Sequence, residues 1–311
     1  MSKILAIFGA TGHQGSSVLH YVLNDPELFQ TYKIRAITRD LNTSKAQQLS
    51  QKVEVVAADF QDLSSIETAL TGAHSIFLMT PPSFGPNALD DEYNNVKLVA
   101  DIAVHRGVDY LIFSTLPGIR AMSHGKYTKV TPFDAKAEAE AYIRTLPIKS
   151  AFYCPAGFME NFQSQPFLNP RPAADGTWVL SRCAGPTTRF PWISAVADSG
   201  KVVGAILAEP GKYEGKTFCA AGGLYSMVEM AEALSKASGK KVVYRQILAE
   251  ELRGFFPLPG LADMFIEGFE FYETVGYFGP GTEELVAWSR ENTRGELTSF
   301  EGFLERNVVE F

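Results

Sequence analysis

Cysteine is scarce: Cys154, Cys183 and Cys219 are the only three, odd in number and without a C-x-x-C spacing. That excludes a disulfide framework and a cysteine zinc site, and implies reduced thiols in a cytoplasmic or nuclear compartment. No apolar run approaches the roughly 20 residues of a membrane span. The short stretch 4–8 ends in a glycine loop rather than a cleavage signal, so a soluble intracellular chain with no membrane partner is expected. Basic residues are outnumbered, 28 Lys and Arg against 35 Asp and Glu, giving a net charge of −7. Such a chain repels nucleic-acid phosphates, so direct nucleic-acid binding is not expected. The five histidines, His13, His20, His74, His105 and His124, show no metal-ligand spacing. No Ser-His-Asp or Cys-His pattern stands out either, which removes the hydrolase classes. Internal repeats and low-complexity linkers are also absent.

What is present is a globular composition, 46% hydrophobic and 20% charged over 311 residues. That is enough for one large α/β domain, or one such domain with a smaller lobe. Short apolar runs alternate with helical patterns: strands at 3–8, 33–38, 53–57, 75–79 and 109–114, helices at 12–23, 43–50, 63–70, 89–106 and 133–144, and a last strand at 149–153. This is the βαβ rhythm of a parallel sheet with helices on both faces, a Rossmann-type arrangement. After Pro155 the rhythm gives way to an aromatic- and proline-rich stretch with a short strand at 176–181. Helices at 198–208, 226–238 and 282–292 and strands at 216–221 and 241–246 follow. The expectation is α/β, with a Rossmann domain over 1–155 and a smaller α+β lobe over 156–311 that shares a cleft with it.

The first strand runs directly into Gly9-Ala10-Thr11-Gly12-His13-Gln14-Gly15, followed by helical character. In that context Gly9 permits the tight turn, Gly12 lets backbone N–H groups approach a pyrophosphate, and Gly15 lets the helix pack close to the strand. The anion would sit on a helix N-terminus. The alternative is a glycine turn with no ligand. Arg39 stands at the end of the second strand, where an NAD-specific protein places a carboxylate. Its guanidinium suits the 2′-phosphate of NADP(H), unless it pairs with Asp40 or Asp40 itself turns inward. Asp59 and Phe60, at the end of the third strand, suit an adenine ring.

Together with this loop, Arg39 and Asp59-Phe60, the segments Thr80-Pro81-Pro82, Phe113-Ser114-Thr115-Leu116-Pro117, Pro132-Phe133-Asp134-Ala135-Lys136 and Phe158-Met159-Glu160-Asn161 resemble the NmrA-like family of atypical short-chain dehydrogenase/reductases, over nearly the whole chain. That family comprises fungal regulators, a human NADPH-sensing relative and reductases of quinones, dyes or aromatic ethers. The resemblance implies that Gly9 to Gln14 bind phosphates, that Arg39 binds the 2′-phosphate and that Asp59 with Phe60 binds adenine. Thr80 and Pro81 would line the path to the nicotinamide, Lys136 would bond its ribose, and Phe158, Met159, Glu160 and Asn161 would close over it. The alternatives are a solvated helix lysine for Lys136 and simple core packing for Phe158 and Met159.

Working short-chain dehydrogenases use Tyr-x-x-x-Lys, the tyrosine acting as general acid. Here Pro132 stands four residues before Lys136, so the usual acid is missing. Ser114 and Thr115 occupy the place of the family's carbonyl-orienting serine. Tyr127 is near enough in sequence to be a substitute catalytic residue beside Lys136, or is an ordinary loop tyrosine. Two functions follow from the resemblance. The lost tyrosine favours an NADP(H)-sensing regulator that acts on a partner protein; the alternative is an NADPH-dependent oxidoreductase of a small quinonoid or aromatic substrate, favoured by Lys136 and by the aromatics between Phe255 and Phe278, unless these only fill the core or an interface.

Overall fold

The computed structural model describes residues 2–83 and 85–311. Its first half follows the alternation of the sequence. Strand β1 (Lys3–Phe8) leads through the glycine loop into α1 (His13–Asn24). A short helix α2 (Pro26–Thr31) precedes β2 (Tyr32–Thr38). Sequence periodicity does not reveal α2 because it is one and a half turns long; Pro26 starts it and the Asp25 carboxylate caps it, accepting from the N–H groups of Glu27 (3.1 Å) and Leu28 (3.0 Å). The series continues with α3 (Ser44–Ser50), β3 (Glu54–Ala57), α4 (Leu63–Leu70), β4 (Ser75–Leu78), α5 (Ala88–His105), β5 (Tyr110–Ser114), α6 (Ile119–Met122), α7 (Thr131–Ile143) and β6 (Lys149–Pro155).

Beyond Pro155 come β7 (Gly157–Phe158), α8 (Asn161–Ser164), β8 (Arg171–Pro172), β9 (Trp178–Arg182) and β10 (Arg189–Ile193). Helix α9 (Ala195–Ala208) begins three residues before the expected start, because the Ser194 hydroxyl accepts from the Ala197 N–H at 3.2 Å and caps it. Then follow β11 (Thr217–Ala220), β12 (Gly223–Ser226), α10 (Met227–Ser238), β13 (Val242–Gln246), α11 (Ala249–Arg253), α12 (Pro259–Thr274), α13 (Thr282–Glu291) and α14 (Phe300–Arg306). Helix α12 is not among the expected elements, although Asp263, Glu267, Glu270 and Thr274 in PGLADMFIEGFEFYET fall on one face at helical spacing.

Seven parallel strands form the main sheet in the order β11-β6-β5-β4-β1-β2-β3. Its central strands are near-continuous apolar runs, as both faces are covered by helices: Leu5 to Phe8 and Ser75 to Leu78 are all buried. Two three-stranded sheets, β12-β10-β7 and β13-β9-β8, belong to a second layer with its own core around Met159, Phe162, Leu180, Trp192 and Phe300. The chain crosses between the layers: α9 packs on α1, β11 extends the main sheet from β6, and α13 covers β11. Among the described residues no helix is long and apolar enough to cross a membrane.

The α1–α9 contact is backbone-close. A Cβ on Gly200 would lie 2.5 Å from the Ser17 carbonyl oxygen and 2.5 Å from the Tyr21 Cβ, and the Gly200 N–H donates to the Ser17 hydroxyl at 2.9 Å. Neither neighbour can swing away, so Gly200→Ala should lower stability by about 1–3 kcal/mol, read as a lower urea midpoint at unchanged m-value. An unchanged midpoint would show that the helices can part without loss.

Candidate functional site: a cleft at the strand-order reversal

Chain order reverses between β1 and β4, and in such sheets ligands bind in the crevice beyond the carboxyl ends of the strands. Both ends carry site residues here. Gly9 adopts φ 64°, and a Cβ there would strike the Met79 sulfur at 2.4 Å. Gly15 is the tighter point, since its Cβ would sit 2.3 Å from the Gly9 carbonyl oxygen and 2.9 Å from the Ala10 nitrogen. Gly12 is the residue before α1; its N–H bonds the Gly9 carbonyl at 2.9 Å, and no side chain caps the helix. The first-turn N–H groups have no intrahelical acceptor. Gln14 is buried, and its side-chain oxygen accepts from the Ser114 hydroxyl at 2.6 Å, tying the loop to the end of β5.

Arg39 is exposed at the end of β2. Asp40 turns its carboxylate back to the Asn42 N–H at 2.8 Å, so it does not hold Arg39. Lys45, on α3, reaches the Thr11 carbonyl at 3.4 Å and brings a second cation over the loop; an exposed helix lysine gave no signal in the sequence. Phe60 stacks on Phe8 with ring centroids 6.0 Å apart and planes 13° apart, and Asp59 is exposed beside it.

On the other side of the reversal stands a buried charge pair. The Lys136 ammonium lies 2.5 Å from Glu92 Oε1 and donates to the Thr80 carbonyl (3.0 Å) and hydroxyl (2.9 Å). The Thr80 hydroxyl in turn donates to Glu92 Oε1 at 2.8 Å. All three ammonium donors are engaged, while Glu92 Oε2 is buried without a partner. Burial pulls the Lys136 pKa below the usual lysine range, and the Glu92 carboxylate opposes that shift. Glu92 follows Asp90 and Asp91 on α5 and reads in the sequence as part of a solvated acidic turn; the packing of α5 on α7 buries it.

Lys136, Thr80, Ser114 and Gln14 form the polar end of a cavity of about 490 Å³. Its remaining wall is largely apolar, including Phe133, Phe158, Phe167, Met264, Phe265 and Tyr277. Phe158 and Asn161 line it, as does Pro82, whereas Pro81 is exposed outside it. Met159 is fully buried in the second core. Glu160 turns away, its carboxylate accepting from the Ser194 hydroxyl (2.8 Å) and the N–H groups of Ala195 and Val196 (both 3.0 Å) at the start of α9. Tyr127 is not brought to the cavity either. Its ring is buried edge-on against Phe271, 6.2 Å between centroids, in a separate cluster with Ile119 and Val130. The tyrosine that does line the cavity is Tyr277, whose phenol burial holds well above its ordinary pKa.

The sequence pattern that defines the NmrA-like family matches residues 1–304. The chain belongs to the NmrA-like family. An NmrA-like family domain-containing oxidoreductase of Aspergillus campestris is 31% identical, over 78% of this chain and 74% of that one. Among solved structures, NmrA, a negative transcriptional regulator in complex with NADP, aligns with a TM-score of 0.76 at 22% identity over 98% of this chain and 94% of that one. An NADPH-dependent quinone oxidoreductase from Escherichia coli, complexed with NADPH, aligns at 0.73 and 22% over 97% and 99%. At such identities the structures establish a shared NmrA-like fold.

Removing the carboxylate of the buried pair isolates its energetic role. Glu92→Ala leaves the Lys136 ammonium buried with one acceptor fewer and should cost about 3–5 kcal/mol, whereas the joint replacement Glu92→Leu with Lys136→Met should recover most of that loss. Urea unfolding of the three proteins checks it; a mild Glu92→Ala effect would mean that water already solvates the ammonium.

Proposed function

We propose that this NmrA-like protein is an NADP(H)-dependent reductase of small quinonoid or aromatic acceptors. The observation that carries the reading is the cavity whose polar residues Lys136, Thr80 and Ser114 suit the nicotinamide end and whose aromatic wall goes on to Phe133, Phe167 and Phe265, because a protein that only senses a dinucleotide needs no aromatic wall past its nicotinamide. Relatives named as oxidoreductases lend support.

The residues fit the dinucleotide. The uncapped start of α1 offers the N–H groups of His13 and Gln14 to a diphosphate. Arg39 at the end of β2 and Lys45 over the glycine loop supply cations for a 2′-phosphate, and Asp59 and Phe60 flank the adenine place. Lys136 has no spare donor, so gripping a ribose hydroxyl means releasing one of its two contacts to Thr80, while Glu92 keeps the ammonium neutralised. When bound, the cofactor supplies the hydride. The chain's own task is to orient the acceptor and exclude water, since Pro132 offers no proton and Tyr127 lies elsewhere. Quinones suit such a site because their developing oxyanion is spread over the ring and needs little proton assistance. A second reading, an NADP(H)-sensing regulator of a partner protein, is favoured by Pro132 in place of the usual tyrosine.

Two measurements test the proposal. Calorimetry should give tighter binding of NADP⁺ than NAD⁺, and Arg39→Ala should cost NADP⁺ about 1.5–3 kcal/mol while leaving NAD⁺ unchanged; equal affinities for the two would sink the 2′-phosphate assignment. In assays of NADPH oxidation, naphthoquinones should be reduced and simple ketones not, Tyr127→Phe should retain the activity, and Lys136→Met should weaken NADP(H) binding. No turnover with any acceptor, combined with altered protease sensitivity on NADP⁺ addition, would turn the reading to the regulator.

A further inference from the structure

A second cavity, of about 160 Å³, adjoins the first and shares Phe133, Gly157, Asn161, Met264, Phe265 and Tyr277 with it as walls. Its other lining is nearly all apolar or aromatic, with Trp192, Met227, Met230 and Phe269 among it. The exception is Arg182, at the end of β9, which is only 4% exposed. Its guanidinium donates to two backbone carbonyls, Ser181 at 2.8 Å and Leu168 at 2.6 Å, and lies 5.6 Å from the centre of the Phe269 ring. Among the described residues no carboxylate lies within ion-pair distance of it. Glu273 accepts instead from the Gly185 N–H and the Thr188 hydroxyl.

A permanently charged fork in an apolar chamber without a counter-charge is a costly arrangement. Two carbonyls take up two of its five N–H groups and leave the charge uncompensated. Burial pulls its pKa down to about 10, so it is still cationic at neutral pH. The chamber is therefore built to receive an anion whose remainder is apolar.

We propose that Arg182 is the anchor for a carboxylate, or an equivalent oxyanion, carried by a planar aromatic ligand. The ligand's body lies between Trp192 and Phe269, and its other end points through the shared wall toward Lys136. That orientation rests on the reductase reading; the anion site itself does not. Substrate choice then lies with the second layer, which selects aromatic acids over neutral aromatics.

The test uses 2-naphthoate and its neutral amide, 2-naphthamide, with the full chain saturated in NADP⁺ so that the phosphate loop is occupied. Binding is read by calorimetry and by quenching of tryptophan fluorescence, Trp192 being part of the wall. Naphthoate should bind about tenfold or more tightly than naphthamide, the scale of a hydrogen bond to a charged partner. Arg182→Met should erase that preference without altering naphthamide binding, and Arg182→Lys should keep part of it. Equal binding of acid and amide by the wild type, no binding of naphthoate, or an acid preference that survives Arg182→Met each overturns the anion site. Should Arg182→Met fail to fold, the acid-to-amide ratio of the wild type and its reduction in Arg182→Lys decide alone. Naphthoate binding that depends on Arg182 in a protein that reduces no quinone leaves the anion site standing and removes only the reductase reading.

Discussion

The structure depends first on one contact between backbones: the first turn of α1 lies against the end of β1 because Gly15 has no Cβ to meet the Gly9 carbonyl, 2.3 Å from where that atom would be. This approach fixes where the helix starts, and so where its unpaired N–H groups gather. The same helix is held from its other side by α9, again through a residue without a side chain, Gly200. The N-terminal end of α1 is thus clamped between strand and helix by steric permission at two positions. Gln14 adds a polar tie to Ser114 across the strand-order reversal, so the loop is bonded directly to the polar end of the cavity.

Around that clamp the molecule separates two kinds of buried charge. Lys136 is matched by Glu92 and fully bonded, a local arrangement that holds position with a compensating carboxylate at hand. Arg182 is bonded only to carbonyls and lacks a matching acid among the described residues. Matched charge serves geometry. Unmatched charge in an apolar chamber serves a ligand that brings its own.

Much of the main sheet was legible in the sequence, because strands buried on both faces leave continuous apolar runs and glycines punctuate the turns. The family resemblance added the partners of those turns only as expectations about residues. Other features depend on long-range packing that no local window contains. Glu92 looks like a solvated neighbour of Asp90 and Asp91 until α7 covers it. Glu160 lies close in sequence to the cavity-lining Phe158 and Asn161, yet it caps α9 because an α-turn there aims its carboxylate at Ser194. Tyr127 stands nine positions from Lys136, but the connection between α6 and α7 sends its ring toward Phe271. Helix α12 carries a readable period in Asp263, Glu267, Glu270 and Thr274, masked by the aromatic residues and glycine between them.

The return of the chain to the main sheet has a consequence for biosynthesis. Strand β11 completes an edge laid down by β6, and α9 covers a face of α1 made about 180 residues earlier. A nascent chain that has emerged only through β6 holds six strands with an open edge and an uncovered helix, so the first half cannot close on itself while it is being made. Maturation of the first half waits on the second, and the interval is one in which an unpaired strand edge is exposed to pairing with other chains. Sequence-distant contacts of this kind also slow the final step of folding. A cell making this protein fast would need to shield that edge until residue 220 has left the ribosome.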